Sequence, residues 1–122
     1  MNKVIDALNW RYASKKFDTN KKVSQENVDI ISEALRLSAS SFGLQPWKFI
    51  IIQDEATKQK LFAESMNQGQ ILTCSHLIVL CARTNIDDSF VDYFVNYNIA
   101  HGADVERSEK YRISLKKKID TL

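Results

Sequence analysis

Glycine and proline are scarce in this chain, three and one in 122 residues, which is too few turn formers for a domain built from many hairpins. That shortage favours helices. Cysteine is scarce as well: Cys74 and Cys81 lack CxxC spacing and read as small buried hydrophobes in a reducing compartment, not as a disulfide framework. No apolar run is long enough to cross a bilayer, Phe49 to Ile52 and Leu77 to Cys81 being short, and the N-terminal stretch MNKVIDALNWRYASKKFD has no signal-like apolar core. The expected location is the cytoplasm. Charge of one sign is not in excess either, since the formal net charge is +2. The segment from Arg107 to Leu122 nevertheless holds six Lys or Arg, a local basic face that, without interleaved aromatics beyond Tyr111, argues against nucleic acid as a partner. GxGxxG, the phosphate loop of nucleotide-binding enzymes and GxSxG are all absent.

What is present is a single domain over residues 1–122, without linker, repeat or low-complexity tract. Val4, Ile5 and Leu8 have helical spacing and predict a short first helix, followed by an irregular polar piece from Arg11 to Val23. Ser24 is placed to cap a second helix with the stripe Val28, Ile31, Ala34 and Leu35, fading near Ser38. The run KFIIIQ, bounded by Pro46 and Asp54, predicts a strand covered on both faces. Asp54 caps a helix to about Asn67, with Ala56, the stem of Lys60, Leu61 and Ala63 expected on its core face. A loop or short turn over NQGQILTCSH leads to a second buried strand, LIVLCA. Asp87 and Asp88 open a helix carrying Phe90, Val91, Phe94, Val95 and Ile99, and Asp104 to Leu122 predicts a basic helix with Tyr111, Leu115 and Ile119 on one side. Two central-type strands without evident neighbours are fewer than a stable sheet usually needs.

Several residues bear chemistry. Arg11 and Lys15 lie four apart between Trp10 and Phe17; two cations with aromatic anchors suit a phosphate or an anionic ring, or they form a solvated basic strip. SASSFGLQPW places hydroxyls and backbone amides in an irregular connection before a strand, where binding loops lie, although Ser40 and Ser41 are also ordinary turn formers. Asn67, Gln68 and Gln70 supply amides able to read the edge of a heterocycle, while Asn67 is equally suited to ending a helix. Cys74 and His76 are close in sequence but have no orienting carboxylate nearby, and no His or Cys pair has zinc spacing, so no metal is expected.

Taken in order, RYASKKFD, LSASSFGLQPWKFIII and NQGQILTCSHLIVLCART resemble the N-terminal half of the nitroreductase family of FMN-dependent oxidoreductases, over about Trp10 to Arg83. The resemblance implies an α+β fold, a central mixed and largely antiparallel sheet flanked by helices, here truncated. It implies a homodimer with FMN at the interface, reduced by NAD(P)H and reoxidised by a nitroaromatic, quinone or related small aromatic acceptor in ping-pong hydride transfer. Arg11 is then expected at the FMN phosphate, Tyr12 and Ala13 at main-chain contacts, and Lys15 at the N1 and C2 carbonyl edge as the residue that favours flavin reduction. The family's Pro-Ser-Ser loop, which reaches the flavin of the opposite subunit, matches Ala39, Ser40 and Ser41 with Gly43 just beyond. Asn67 matches the amide that reads the ring.

Three departures stand out: Ala39 replaces the proline, a hydroxyl residue common near Ala13 is missing, and family members are substantially longer. The chain alone is therefore expected to bind FMN weakly or not at all. The alternative reading is a non-catalytic remnant or dimerisation module, with the helix from Phe90 to Ile99 as its seam.

Overall fold

The computed structural model describes residues 2–119. Its elements run α1 (Lys3–Trp10), α2 (Gln25–Arg36), β1 (Trp47–Ile52), α3 (Glu55–Glu64), α4 (Gln70–Thr73), β2 (Leu77–Ala82), α5 (Asp88–Ala100) and α6 (Val105–Ile119). A single 3-10 turn, Ser41–Gly43, precedes β1. Among the described residues β1 and β2 form a two-stranded sheet, so the class is α+β with the shortage of strands that the sequence predicts. The chain divides into two compact units, one from residues up to Ser32 together with Ile50–Val79, the other from Glu33–Phe49 together with the chain from Leu80 onward.

In the first unit the helix starts follow from their caps. Asn2 accepts from the Val4 amide at 3.1 Å, the Ser24 hydroxyl accepts from Asn27 at 3.3 Å, and an Asp54 carboxylate oxygen accepts from Thr57 at 2.7 Å, each satisfying an amide that the first helical turn leaves open. The α1 stripe is amphipathic as expected, yet nothing in α1 is buried. Val4, Ile5 and Leu8 are 65, 52 and 59% exposed.

The α3 expectation needs correction. Lys58, not Lys60, turns inward and is fully buried, while Ala56 and Ala63 are exposed. Its ammonium donates to Glu55 Oε1 at 3.1 Å and to the carbonyl of Cys74 at 2.9 Å. A buried cation is tolerable only with such acceptors, and Cys74, just before β2, offers its carbonyl to position 58. Helix α3 also ends earlier than expected, at Glu64. The amides of Ser65 and Asn67 both return to the Phe62 carbonyl, and Met66 and Asn67 adopt left-handed backbone, φ 52° and 53°.

The second unit holds a core of Leu44, Val91, Val95 and Leu115, with Ile86, Phe90, Phe94, Ile99 and Ile119 packed against it. It is built mainly from α5 against α6. Asp87 caps α5 through the Phe90 amide at 2.9 Å. Gly102, at φ 95°, lets the chain reverse, and Asp104 opens α6 by accepting from Arg107 at 2.8 Å. The polar side of the pair is an ion network in which Arg112 meets Asp92 at 2.7 Å and Glu109 at 2.9 Å, while Lys116 meets Asp92 at 2.9 Å and Asp88 at 3.4 Å. Val91, Val95 and Leu115 are at most 1% exposed. Of the apolar stripe from Phe90 to Ile99, Val91 and Val95 are therefore consumed inside the chain, while Phe90, Phe94 and Ile99 stay partly exposed. Of the basic helix expected over Asp104 to Leu122, residues 120–122 lie outside the described residues.

The strands also differ from expectation. Neither is covered on both faces: Ile50 is 42% and Leu80 69% exposed, and Lys48 alternates outward between half-buried Trp47 and Phe49. An unbroken β-branched run gives the strand but not its cover, which depends on what other elements supply.

Candidate functional site

Arg11, Tyr12, Ala13 and Lys15 lie in the first unit, in the irregular segment that leaves α1. Arg11 closes the helix, its amide donating to the Ala7 carbonyl at 3.0 Å, and then turns to ψ 131°. The flanking aromatics do not anchor the segment as expected: Trp10 is 86% and Phe17 43% exposed. Backbone bonds do so instead. The Phe17 amide donates to Thr73 Oγ1 at 3.2 Å and the Val23 amide to Ser75 Oγ at 2.9 Å. The segment is thereby fastened to α4 and to the entrance of β2, so RYASKKFD and ILTCSH meet although more than fifty residues separate the bonded partners. Neither Arg11 nor Lys15 has an ion-pair partner among the described residues, whereas Lys22 nearby pairs with Glu55 at 3.8 Å.

Asn67 belongs to the same unit. Its amide helps to end α3, while its exposed side chain has no hydrogen-bond partner among the described residues. Gln68 and Gln70 are spent on each other, Gln70 Nε2 donating to Gln68 Oε1 at 3.0 Å. Cys74 Sγ contacts the Ile71 carbonyl at 3.3 Å, and His76 Nδ1 shares a 2.8 Å hydrogen bond with Ser75 Oγ. With separate partners, they form no nucleophile–base pair. Among the described residues no group of His, Cys, Asp or Glu is gathered to hold a metal ion.

Ala39, Ser40, Ser41 and Gly43 lie in the second unit. Their loop is wound tightly: Phe42, Gly43 and Gln45 have φ of 55°, 67° and 46°, a left-handed region that glycine tolerates and a bulky side chain resists. The Gly43 amide returns to the Ser40 carbonyl at 3.0 Å, and the Gln45 amide donates to Ser40 Oγ at 2.8 Å. The two serines thus differ. Ser40 has given an acceptor lone pair to closing the loop, while the Ser41 hydroxyl has no hydrogen-bond partner among the described residues. Gln45 also donates to the Arg36 carbonyl at 3.2 Å, and beyond the loop the Pro46 carbonyl accepts from Arg83 at 2.7 Å, extending the strand pairing by one residue.

Two residues that the sequence does not single out as site candidates touch this loop, Tyr111, whose hydroxyl donates to the Phe42 carbonyl at 2.7 Å, and Lys118, whose ammonium stands 4.5 Å from the centre of the Phe42 ring. Their seven-residue separation, two helical turns, was the available signal. It had no target until the loop's backbone was known.

The site's electrostatics are simplest away from these cations. Asp92 is held below the usual carboxylate range by hydrogen bonds from Lys116 and then Arg112, Glu109 likewise by Arg112, and Asp54 by its cap on Thr57. These carboxylates are committed to helix pairing and capping. Within the first unit, two unpaired cations and a free side-chain amide are donors of the kind that fits a phosphate-bearing, electron-poor heterocycle such as FMN; the Ser41 hydroxyl is a separate donor in the second unit.

Residues 8–110 match the sequence model of the Nitroreductase family. The major NAD(P)H-flavin oxidoreductase of Aliivibrio fischeri is 43% identical over 102 residues, covering 80% of this chain and 47% of that protein. A Staphylococcus saprophyticus protein with the provisional name NAD(P)H nitroreductase is 46% identical over 84 residues, 68% of this chain and 38% of its own length. This chain therefore spans less than half of either relative. Among solved structures, a nitroreductase-like protein of Streptococcus mutans superposes at TM-score 0.78 with 16% identity, covering 97% of this chain and 58% of that one. A provisionally named nitroreductase of Exiguobacterium sibiricum, solved in complex with FMN, gives 0.74 with 26% identity, covering 97% and 57%. With the family pattern running through both units and the same fold in these neighbours, the chain belongs to the nitroreductase family.

Proposed function

We propose that this chain supplies the flavin-holding part of an FMN-dependent NAD(P)H oxidoreductase that reduces nitroaromatics, quinones or related small aromatic acceptors. One observation carries the reading: Arg11 and Lys15 stand without counter-charges among the described residues, on a segment fastened at Phe17 and Val23. Bound FMN supplies the two-electron carrier between NAD(P)H and the acceptor. Arg11 holds its phosphate as a planar fork, and the amides of Tyr12 and Ala13 add main-chain contacts. Lys15 puts a positive charge at the N1 and C2 edge, where negative charge gathers on reduction, and so favours the reduced cofactor. Asn67 reads the ring edge through its free amide. Ala39, Ser40, Ser41 and Gly43 reach the cofactor of a second subunit, so the two groups of residues serve different copies of the cofactor in a homodimer.

Titrating FMN into the purified chain and following flavin fluorescence tests this directly. Weak but saturable quenching is expected of a chain that spans less than half of its relatives, weakened about tenfold further by Arg11→Ala, as for loss of one charge-assisted contact. Riboflavin, which lacks the phosphate, should bind more weakly than FMN to the wild type and about equally to Arg11→Ala. Absence of quenching up to roughly millimolar FMN, about the 4 kcal/mol limit of weak binding, sinks the reading for this chain and leaves the non-catalytic alternative.

A further inference from the structure

We propose that α6 is the strut that fixes the Ser40–Gln45 loop, with Tyr111 as its positioning residue; the consequence for cofactor binding rests on the FMN reading above. Phe42 takes φ 55° and ψ 12°, a conformation that a bulky side chain occupies only when its surroundings over-determine it. Most of the loop's own bonds are local: Gly43 to the Ser40 carbonyl, Leu44 to the Ser41 carbonyl at 3.3 Å, Gln45 to Ser40 Oγ, and the Gln45 side chain to the end of α2 at Arg36. None of them holds Phe42 itself. The groups that do so come from α6, the Tyr111 hydroxyl on the Phe42 carbonyl at 2.7 Å and the Lys118 ammonium over the Phe42 ring at 4.5 Å.

Both lie on one face of α6, two turns apart. Helix α6 is itself locked to α5 by buried Leu115 and by the Arg112 and Lys116 ion pairs with Asp92. Rigidity therefore passes from the α5–α6 core through Tyr111 to the carbonyl of the residue that follows Ser41. With Ser40 committed as the acceptor for the Gln45 amide, the orientation of Phe42 decides where the free Ser41 hydroxyl stands. Tyr111 is thus a positioning residue of the loop, and it lies one residue past the span that matches the family.

Amide hydrogen exchange by NMR on the full chain tests the proposal. In Tyr111→Phe, exchange of the Gly43 and Gln45 amides should accelerate about tenfold, the scale of one lost hydrogen bond, with the Val91 and Val95 amides unchanged within twofold. Lys118→Met should accelerate the same loop amides by a smaller factor. Tyr93→Phe, at an exposed α5 tyrosine whose hydroxyl makes none of the loop's hydrogen bonds, should change neither set. Unchanged loop exchange in Tyr111→Phe, or acceleration spread equally through α5, overturns the strut. FMN affinity measured on the same variants separates the two readings: Tyr111→Phe should weaken it severalfold while Tyr93→Phe does not. If the wild type fails to bind FMN yet the loop exchange responds to Tyr111→Phe, the strut stands and the cofactor reading falls.

Discussion

Lys58 shows how much one side chain can decide. It is the only charged residue among the described ones that is fully buried, and its ammonium joins the first turn of α3, at Glu55, to the carbonyl that precedes β2. Lys58→Met keeps most of the stem but leaves the Cys74 carbonyl without its donor. The expected cost is about 1–3 kcal/mol, seen as a lower urea midpoint with an unchanged slope; a variant as stable as the wild type would show that the bond contributes nothing net. Sequence reading chose Lys60 because the apolar residues of EATKQKLFAE are scattered around the helix and leave its inward face undefined. A partner 16 residues away made the choice. Phe42 was hidden for a similar reason, since nothing in its residue type announces a left-handed backbone. Arg11, Lys15 and Asn67 could be singled out as candidates because a cation or amide in an irregular segment needs no tertiary partner to be noticed; their role toward a ligand belongs to the proposal.

Helix termini were the most legible elements. Ser24, Asp54, Asp87 and Asp104 each cap the helix that they precede, for capping is decided within three residues of chain. Pairing between elements was less legible: the stripe on α5 was plain, but whether it faces α6 or another copy depends on the turn at Gly102. The α5–α6 pair carries a pH dependence. The folded-state pKa of Asp92 is lowered, chiefly by Lys116 and then by Arg112, and that of Glu109 by Arg112. Carboxylates depressed in the folded state stabilise it above their unfolded pKa, near 4, and lose that contribution as pH falls through the lowered folded value. The melting temperature should therefore be nearly flat from about pH 7 to 5 and decline below about pH 4. Asp92→Asn should lower the neutral-pH value and shallow the acid decline, with Glu109 sustaining the remainder. An unaltered acid limb in that variant would assign the decline to other carboxylates.

For the whole molecule, the sequence foretold a sheet short of strands, and two are described. It overestimated their cover because apolar composition was read as burial. The same excess recurs on α1, where Val4, Ile5, Leu8 and Trp10 are exposed, and in a chain that spans less than half of its curated relatives. Apolar area of this kind suits the homodimer proposed for the site. Light scattering behind size exclusion should give about twice the 14.0 kDa chain mass, and Ile5→Glu should shift the population toward the monomer. A wild-type monomer at all concentrations would refute the dimer.

The bond from Tyr111 to Phe42 also sets a clock. Its partners are 69 residues apart, and at the usual synthesis rate of about 5–20 residues per second the ribosome reaches Tyr111 roughly 3–14 s after Phe42. During that interval the loop around Ser41 exists but has no strut, while the caps and turns beside it close on far shorter timescales. The backbone proposed to face the cofactor thus gains its strut late in the synthesis of its unit, and the part of any ligand's affinity that depends on the strut develops only after α6.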